Sequence, residues 1–168
     1  MNVLFDNCTS PVLAKTLDGY ISSYGHRSFH LCHNHQLSVD RNATDEAWIN
    51  AIGQDERVWF IVTGDDRIRK NQILRAALRG ANIRGFVLAP AYQKTTLNVT
   101  ASVLVRKWPD MEQQIKLAQG AALFELSINY RTGFKTLPFC LRCPTYPSRT
   151  TIISQHPMPH TISSPPKP

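Results

Sequence analysis

Acidic side chains are scarce in this chain. Its 168 residues carry 12 Asp and Glu against 19 Lys and Arg, a formal charge of +7, and the pI is near 9.5. A basic balance of this kind points to a polyanionic partner, and it makes the positions of the few acids informative. Long apolar runs are also missing: none approaches the roughly 18 residues that a membrane span takes. The N-terminus opens into strand-like residues, with no basic segment leading into an apolar one. The expected setting is cytoplasmic, with no membrane partner. Cysteine is sparse too. Cys8, Cys32, Cys140 and Cys143 follow no disulfide framework for a domain of this size. The N-x-T triplets at Asn7, Asn42 and Asn98 therefore carry no glycan reading. What is present in quantity is apolar residues, 42 % of the chain, enough for one domain with a real core.

The most informative stretch is Val58–Trp59–Phe60–Ile61–Val62, followed by Thr63–Gly64–Asp65–Asp66–Arg67. Five apolar residues in a row, three of them β-branched, predict a strand buried on both faces, as in a parallel sheet. The turn behind it carries two carboxylates. Val3–Leu4–Phe5 followed by Asp6–Asn7 repeats the phrase. In open α/β sheets ligands collect at the carboxyl ends of strands, so two strand ends that each deliver an aspartate predict a cation site. A lone aspartate at either place would do no more than start a turn or cap a helix.

Ser10–Pro11 predicts the cap and first residue of a helix, with Leu13, Leu17, Tyr20 and Tyr24 on one face and Gly25 at its end. Ser28 to Cys32 predicts a second strand. His33 and His35 would then share a face with one another, but no carboxylate or cysteine completes a ligand set. Asp45 and Glu46 open a second helix, where first-turn acids suit the helix dipole; Ala47, Trp48, Ile49, Ala51 and Ile52 supply its apolar side. Ile68 to Gly80 predicts a third helix with Ile73, Leu74, Ala77 and Leu78 inward. Its opposite stripe is Arg67, Asn71, Arg75 and Arg79, a face suited to phosphate backbone. Gly85 to Ala89 predicts a fourth strand. Ala101, Leu104, Val105 and Trp108 predict a fourth helix, ended or kinked at Pro109, with a turn or two more at Met111 and Ile115. Ala122 to Leu126 and Ile128 to Tyr130 predict late strands. This alternation implies a doubly wound, mostly parallel α/β sheet.

The composition changes after residue 138. Seven of the 28 residues from Leu141 to Pro168 are proline, and Ser and Thr fill much of the rest, the signature of a disordered tail over 139–168. Cys140-x2-Cys143-x12-His156-x3-His160 matches a zinc-finger spacing. Pro157 and Pro159, however, lie between histidines that would have to share a helix. The expected division is a folded 1–138 and a tail dispensable for folding and activity.

FDN at 5–7, TDEAW at 44–48 and VTGDDRI at 62–68, in that order and spacing, resemble the PIN-like proteins of the VapC-type toxin ribonuclease group. The resemblance runs from Met1 to about Pro138. It implies a three-layer sandwich with a mostly parallel central sheet, and hydrolysis of RNA with carboxylate-bound Mg2+ or Mn2+. By position it makes Asp6, Asp45 and Asp65 the catalytic acids, with Glu46 and Asp66 beside them as further metal ligands; the stripe read from helical spacing then supplies Arg67, Arg75 and Arg79 as the RNA-binding side chains. It also implies a cognate antitoxin as protein partner and leaves room for a homodimer. The chain departs from the pattern in two places. Asn7 stands where relatives commonly carry an acid, and no clear fourth carboxylate follows, Asp110 and Glu112 lying past a proline. Two other readings compete. One is a catalytically degenerate PIN-like module that holds RNA without cutting it. The other is a phosphatase with Asp6 as nucleophile, which wants a second aspartate where Cys8 stands.

Overall fold

The computed structural model describes residues 1–37, 39–40 and 42–139. Six strands form one sheet: β1 (Asn2–Phe5), β2 (Arg27–His30), β3 (Trp59–Thr63), β4 (Arg84–Leu88), β5 (Ala122–Leu126) and β6 (Lys135–Leu137). Their order is β2-β1-β3-β4-β5-β6; the first five are parallel and β6 runs antiparallel to β5. The central β3 is buried at all five positions, which is why its sequence is an unbroken apolar run rather than an alternating one.

Four α-helices cover the two faces: α1 (Pro11–Ile21), α2 (Asp45–Gln54), α3 (Gln72–Gly80) and α4 (Leu97–Leu117). Leu13, Leu17 and Ile21 of α1 join Leu104, Trp108, Met111 and Ile115 of α4 over Val3, Phe5, Phe60, Val62 and Phe86. Trp48, Ile49 and Ile52 of α2 join Leu74 and Leu78 of α3 over Leu4, Ile61, Val87 and Leu123. The result is the expected three-layer sandwich. The steps β3 to β4 and β4 to β5 go the same way across the sheet. Yet α3 and α4 pack on opposite faces, so these two crossovers have opposite hands, against the usual right-handed rule. On the α2/α3 face of β5, Leu123 is buried with the α2 and α3 residues, while Glu125 meets Arg69 of the turn after β3.

Local chemistry sets the element ends. Ser10 caps α1, its hydroxyl accepting from Val12 N–H at 3.3 Å, and Gly25 closes the following 3-10 turn at φ 75, a conformation glycine takes without strain. Thr44 caps α2. Pro109 does not end α4. The helix continues to Leu117, and burial of Trp108, Met111 and Ile115 on either side offsets an interior proline that costs about 3 kcal/mol.

Several expectations are corrected here. Tyr24 is 60 % exposed and Ile21 takes the inward position. The chain leaves β2 at His30 for a 3-10 turn over Leu31–His33, so His33 and His35 share no strand face. Residues 128–130 form no strand; the last strand is β6, short and only partly buried, with little periodicity to announce it. The third helix starts at Gln72, after a 3-10 turn over Asp66–Arg69 and a fresh cap at Asn71, whose Oδ1 accepts from Ile73 and Leu74 N–H at 3.0 and 3.1 Å. That break rotates the helix: Ile73 is 73 % exposed and Arg75 only 1 %. The Cys140–His160 spacing and the tail beyond Phe139 lie outside the described residues, while Phe139 itself packs partly buried against the α2/α3 cluster. No described helix is long and apolar enough to cross a membrane.

Where β4 passes β3, only glycine fits. A Cβ on Gly85 would sit 2.3 Å from Ile61 Cγ1 and 2.8 Å from Ile61 O. Gly85→Ala should lower unfolding free energy by about 1–3 kcal/mol or more, the range for overpacking a tight core, read from urea denaturation midpoints.

Candidate active site at the carboxyl edge of the sheet

Strand register decides which side chains meet. Phe5 lies opposite Val62 and Thr63 opposite Val87, and the ladder runs one step past β1, Asp6 N–H donating to Val62 O at 3.3 Å. Asp6 therefore stands level with Thr63. The chain steps one way from β1 to β2 and the other way to β3, so the carboxyl ends of β1 and β3 form a topological switch point, where open α/β sheets bind ligands. Asp6 and Asp65 sit on its two sides.

Thr63 joins them. Its hydroxyl donates to Asp6 Oδ2 and accepts Asp65 N–H at 2.9 Å. The other oxygen of Asp6, Oδ1, is buried and has no hydrogen-bond partner among the described residues. Burial lifts the Asp6 carboxyl to a pKa of about 6; Asp65 adds repulsion, while Thr63 and the N–H groups of Gly64 and Cys8 hold it down. With those two N–H groups outside hydrogen-bond distance of Oδ1 and no cation paired with it among the described residues, the electrostatic demand of this buried oxygen is only partly met. The neighbouring Cys8 thiol is pushed up by burial and then by Asp6 and Asp65, which keeps it protonated and unsuited to nucleophilic attack.

Asp65 is met by its own turn. Its Oδ1 accepts Arg67 N–H at 2.9 Å, and Arg67 Nε reaches both carboxylate oxygens at 3.0 Å. Asp66 pairs with Arg69 at 2.6 Å; Arg69 also holds Glu125 on β5 and the carbonyl of Leu88 at 3.4 Å. Asp45, at the start of α2, accepts from Trp48 Nε1 at 3.2 Å, and with Glu46 it lines a groove between α2 and α3. Its charge is felt at both Cys8 and Arg67. Among the described residues no three His, Cys, Asp or Glu side chains are grouped to hold an ion as they stand. The donors still suit a hard divalent cation, which takes oxygen ligands: Asp6 offers an unmatched buried oxygen, and Asp65 offers a carboxylate already bound to a positive group.

Three other groups of side chains are placed as follows. Arg67 lies over Asp65 and Arg79 is exposed, but Arg75 is interior, its Nη1 donating to Arg69 O at 3.3 Å. The stripe is therefore not continuous. Glu112 bonds His26 at 3.1 Å and Lys116 at 2.6 Å. His26 in turn holds the Met1 amine at 3.2 Å, at the opposite end of β1 from Asp6. Glu112 is thus far from the acid pair. His30 is spent as a tether between Thr9 O and Cys32 Sγ, each at 2.9 Å. Sequence reasoning missed Thr63, whose only signal was a hydroxyl at the last position of a buried strand. It also missed Glu125, one polar residue in an apolar strand.

The Asp6 shift has a pH consequence. A carboxyl whose folded pKa is raised contributes stability that is fully present below about pH 4 and lost as pH rises through about 6. In EDTA, Asp6→Asn should therefore stabilise the chain at pH 8 by up to about 3 kcal/mol, from about 1.4 kcal/mol per pKa unit, and give no gain at pH 4. Urea melts at the two pH values measure it.

A family model described as a PIN like domain matches residues 1–90, which hold β1 to β4 and all of Asp6, Asp45 and Asp65. No curated protein and no solved structure matches the chain. The PIN-like domain is generally a nuclease fold, usually with divalent metal ions. With just over half of its length under that model, the chain belongs to the PIN-like domain family.

Proposed function

We propose that this protein is a metal-dependent endoribonuclease that hydrolyses RNA phosphodiester bonds at the Asp6–Asp65 edge. The observation that carries the reading is the buried, unpartnered Oδ1 of Asp6 beside a second carboxylate. Asp6 and Asp65 would hold Mg2+ or Mn2+, with Asp45 completing the acidic set and Glu46 and Asp66 at its margin. Bound there, the ion supplies a more acidic water and charge neutralisation at the scissile phosphate. The chain's own part is positional. Thr63 fixes the angle of Asp6 and the height of Asp65 with one hydroxyl. Arg67 is 73 % exposed at its side chain while its partner Asp65 is 11 %, so the guanidinium can exchange that carboxylate for an RNA phosphate. Doing so frees Asp65 for the ion. Arg79 extends the binding surface along the strand, and the net charge of +7 draws the polyanion in. The three ordered motifs that resemble VapC-type toxins support a finer assignment as the toxin of a toxin–antitoxin pair, with a cognate antitoxin as its protein partner and room for a homodimer.

Asp65→Asn keeps the shape of the turn and removes the charge. Cleavage of mixed RNA with Mg2+ or Mn2+ should fall at least about 10- to 100-fold, the loss that even supporting changes at metal sites bring, while folding is retained. EDTA should abolish cleavage by the unaltered protein. Equal cleavage by the two proteins would reject the assignment. RNA binding without cleavage by either would favour a non-catalytic RNA-binding module.

The cationic residues are separated by salt dependence. Arg67→Ala with Arg79→Ala should flatten the slope of log K against log salt by about 2, one for each phosphate that is no longer neutralised. Arg75→Ala should leave the slope unchanged and instead lower the denaturation midpoint.

A further inference from the structure

Two arginines close around one exposed tyrosine on the α4 side of the molecule. Tyr130, in the loop between β5 and β6, is 39 % exposed. Arg106, midway along α4, lays its guanidinium carbon 3.5 Å from the ring centroid. That of Arg131 lies 5.5 Å from the same centroid, and Arg131 Nε donates to the Tyr130 hydroxyl at 3.2 Å. The loop itself is tied down: Lys107 Nζ donates to Thr132 O at 2.6 Å, and Thr132 N–H to Asn129 O at 3.1 Å. Arg27, Arg57, Arg67 and Arg69 each pair with a carboxylate. Arg106 and Arg131 pair with none among the described residues. Asp110 stands one turn along α4 from Arg106, at a spacing that allows an ion pair, yet the guanidinium takes the ring.

We propose that Arg106, Tyr130 and Arg131 form a second RNA-binding platform, remote from the cut, which grips the phosphate backbone of the bound strand. The inference rests on the ribonuclease reading and adds a contact that sets how long the RNA must be to bind fully. Two like charges drawn to one ring repel each other, and two neighbouring phosphates relieve that repulsion. A guanidinium flat on a ring keeps its N–H edge free for bidentate contact with a phosphate, so the tyrosine orients the forks without using them up. The position suits a strand that leaves the acidic edge. α4 starts at that edge, where Leu97 and Gly64 line one opening. Arg106 is nine residues further along the helix, about 14 Å at 1.5 Å per residue. At about 3.4 Å per stacked nucleotide, RNA covers that distance in roughly four nucleotides. This alignment favours one partner that occupies both places over a separate acidic peptide. All three residues lie past residue 90, so the platform belongs to this chain beyond the part matched as a PIN-like domain.

The test is binding of RNA oligonucleotides of three to twelve nucleotides to the full chain, in EDTA so that none is cut. Affinity for the unaltered protein should step up once the strand passes about four nucleotides. Arg106→Gln with Arg131→Gln should remove that step. It should also flatten the slope of log K against log salt for the longest RNA by about 1.4, from two phosphates at about 0.7 each, and leave the trinucleotide unaffected. Arg106→Lys with Arg131→Lys keeps the charge and should keep most of the slope. Tyr130→Leu should weaken the longest RNA about 2- to 5-fold, the worth of an exposed cation–π contact. Urea midpoints confirm that each variant is folded. A length step that the glutamine pair loses supports the platform even if nothing is ever cut. Affinity that does not rise with length, or equal salt slopes for the unaltered protein and the glutamine pair, overturns it. So does an equal loss of the trinucleotide and the longest RNA in that pair. Metal-dependent cleavage that persists without a length step would overturn the platform and leave the ribonuclease reading standing.

Discussion

The edge of this sheet depends on one hydroxyl. Thr63 is the last residue of the most buried strand, 2 % exposed, so its place is set by the core on either side of it. From there it donates to Asp6 on the neighbouring strand and accepts the backbone N–H of Asp65 two residues on. A β-branched side chain at the end of a strand has few rotamers to choose from. Two carboxylates 59 positions apart are thereby held at one level through a third residue. The repulsion they feel is not relieved by that bond. The raised pKa of Asp6 comes first from its burial, with the charge of Asp65 adding a smaller share, a cost balanced by packing elsewhere.

Neighbouring acids are handled differently. Asp65 and Asp66 each have an arginine supplied by the short 3-10 turn that follows, Arg67 and Arg69. Asp6 has none. The asymmetry follows from the chain's direction, because β1 leads through Cys8 and Thr9 straight into the cap of α1 and brings no basic residue with it. An exposed pair such as Arg67–Asp65 contributes little to stability and is easily exchanged. Arg69, partly buried between Asp66, Glu125 and the Leu88 carbonyl, is a structural tie instead. Guanidiniums two residues apart thus sit in opposite settings, Arg67 open to solvent and Arg69 enclosed.

That division explains what could be read from sequence and what could not. β1 and β3 were legible because double-faced burial demands unbroken apolar runs, and the aspartates behind them were legible because turns follow strands. The helix cap at Ser10 was legible for the same local reason. Arg75 was not. Spacing of i+4 places Arg67, Asn71, Arg75 and Arg79 on one face only if the helix is continuous through Lys70, and Asn71 restarts it with a side chain that caps equally well within a loop. Once the phase shifts, an arginine points inward and Ile73 outward, a reversal that hydrophobic pattern argues against. β6 escaped notice because an edge strand of three residues, paired on one side, needs little apolar content.

Glu125 makes sense only with the topology in view. A carboxylate inside β5 conflicts with the apolar run around it, and an ordinary right-handed crossover would lay α4 over that face. Here α4 crosses on the other face, against Phe60 and Phe86. On the α2/α3 side of β5, Leu123 still packs with α2 and α3, and Glu125 pairs with Arg69 of the turn after β3. The same turn contains Asp66 and follows directly on Asp65. The unusual crossover, the partly buried ion pair and the acidic edge therefore adjoin one another: with α4 on the other face, a short polar turn lies beside Glu125 and the carboxylates.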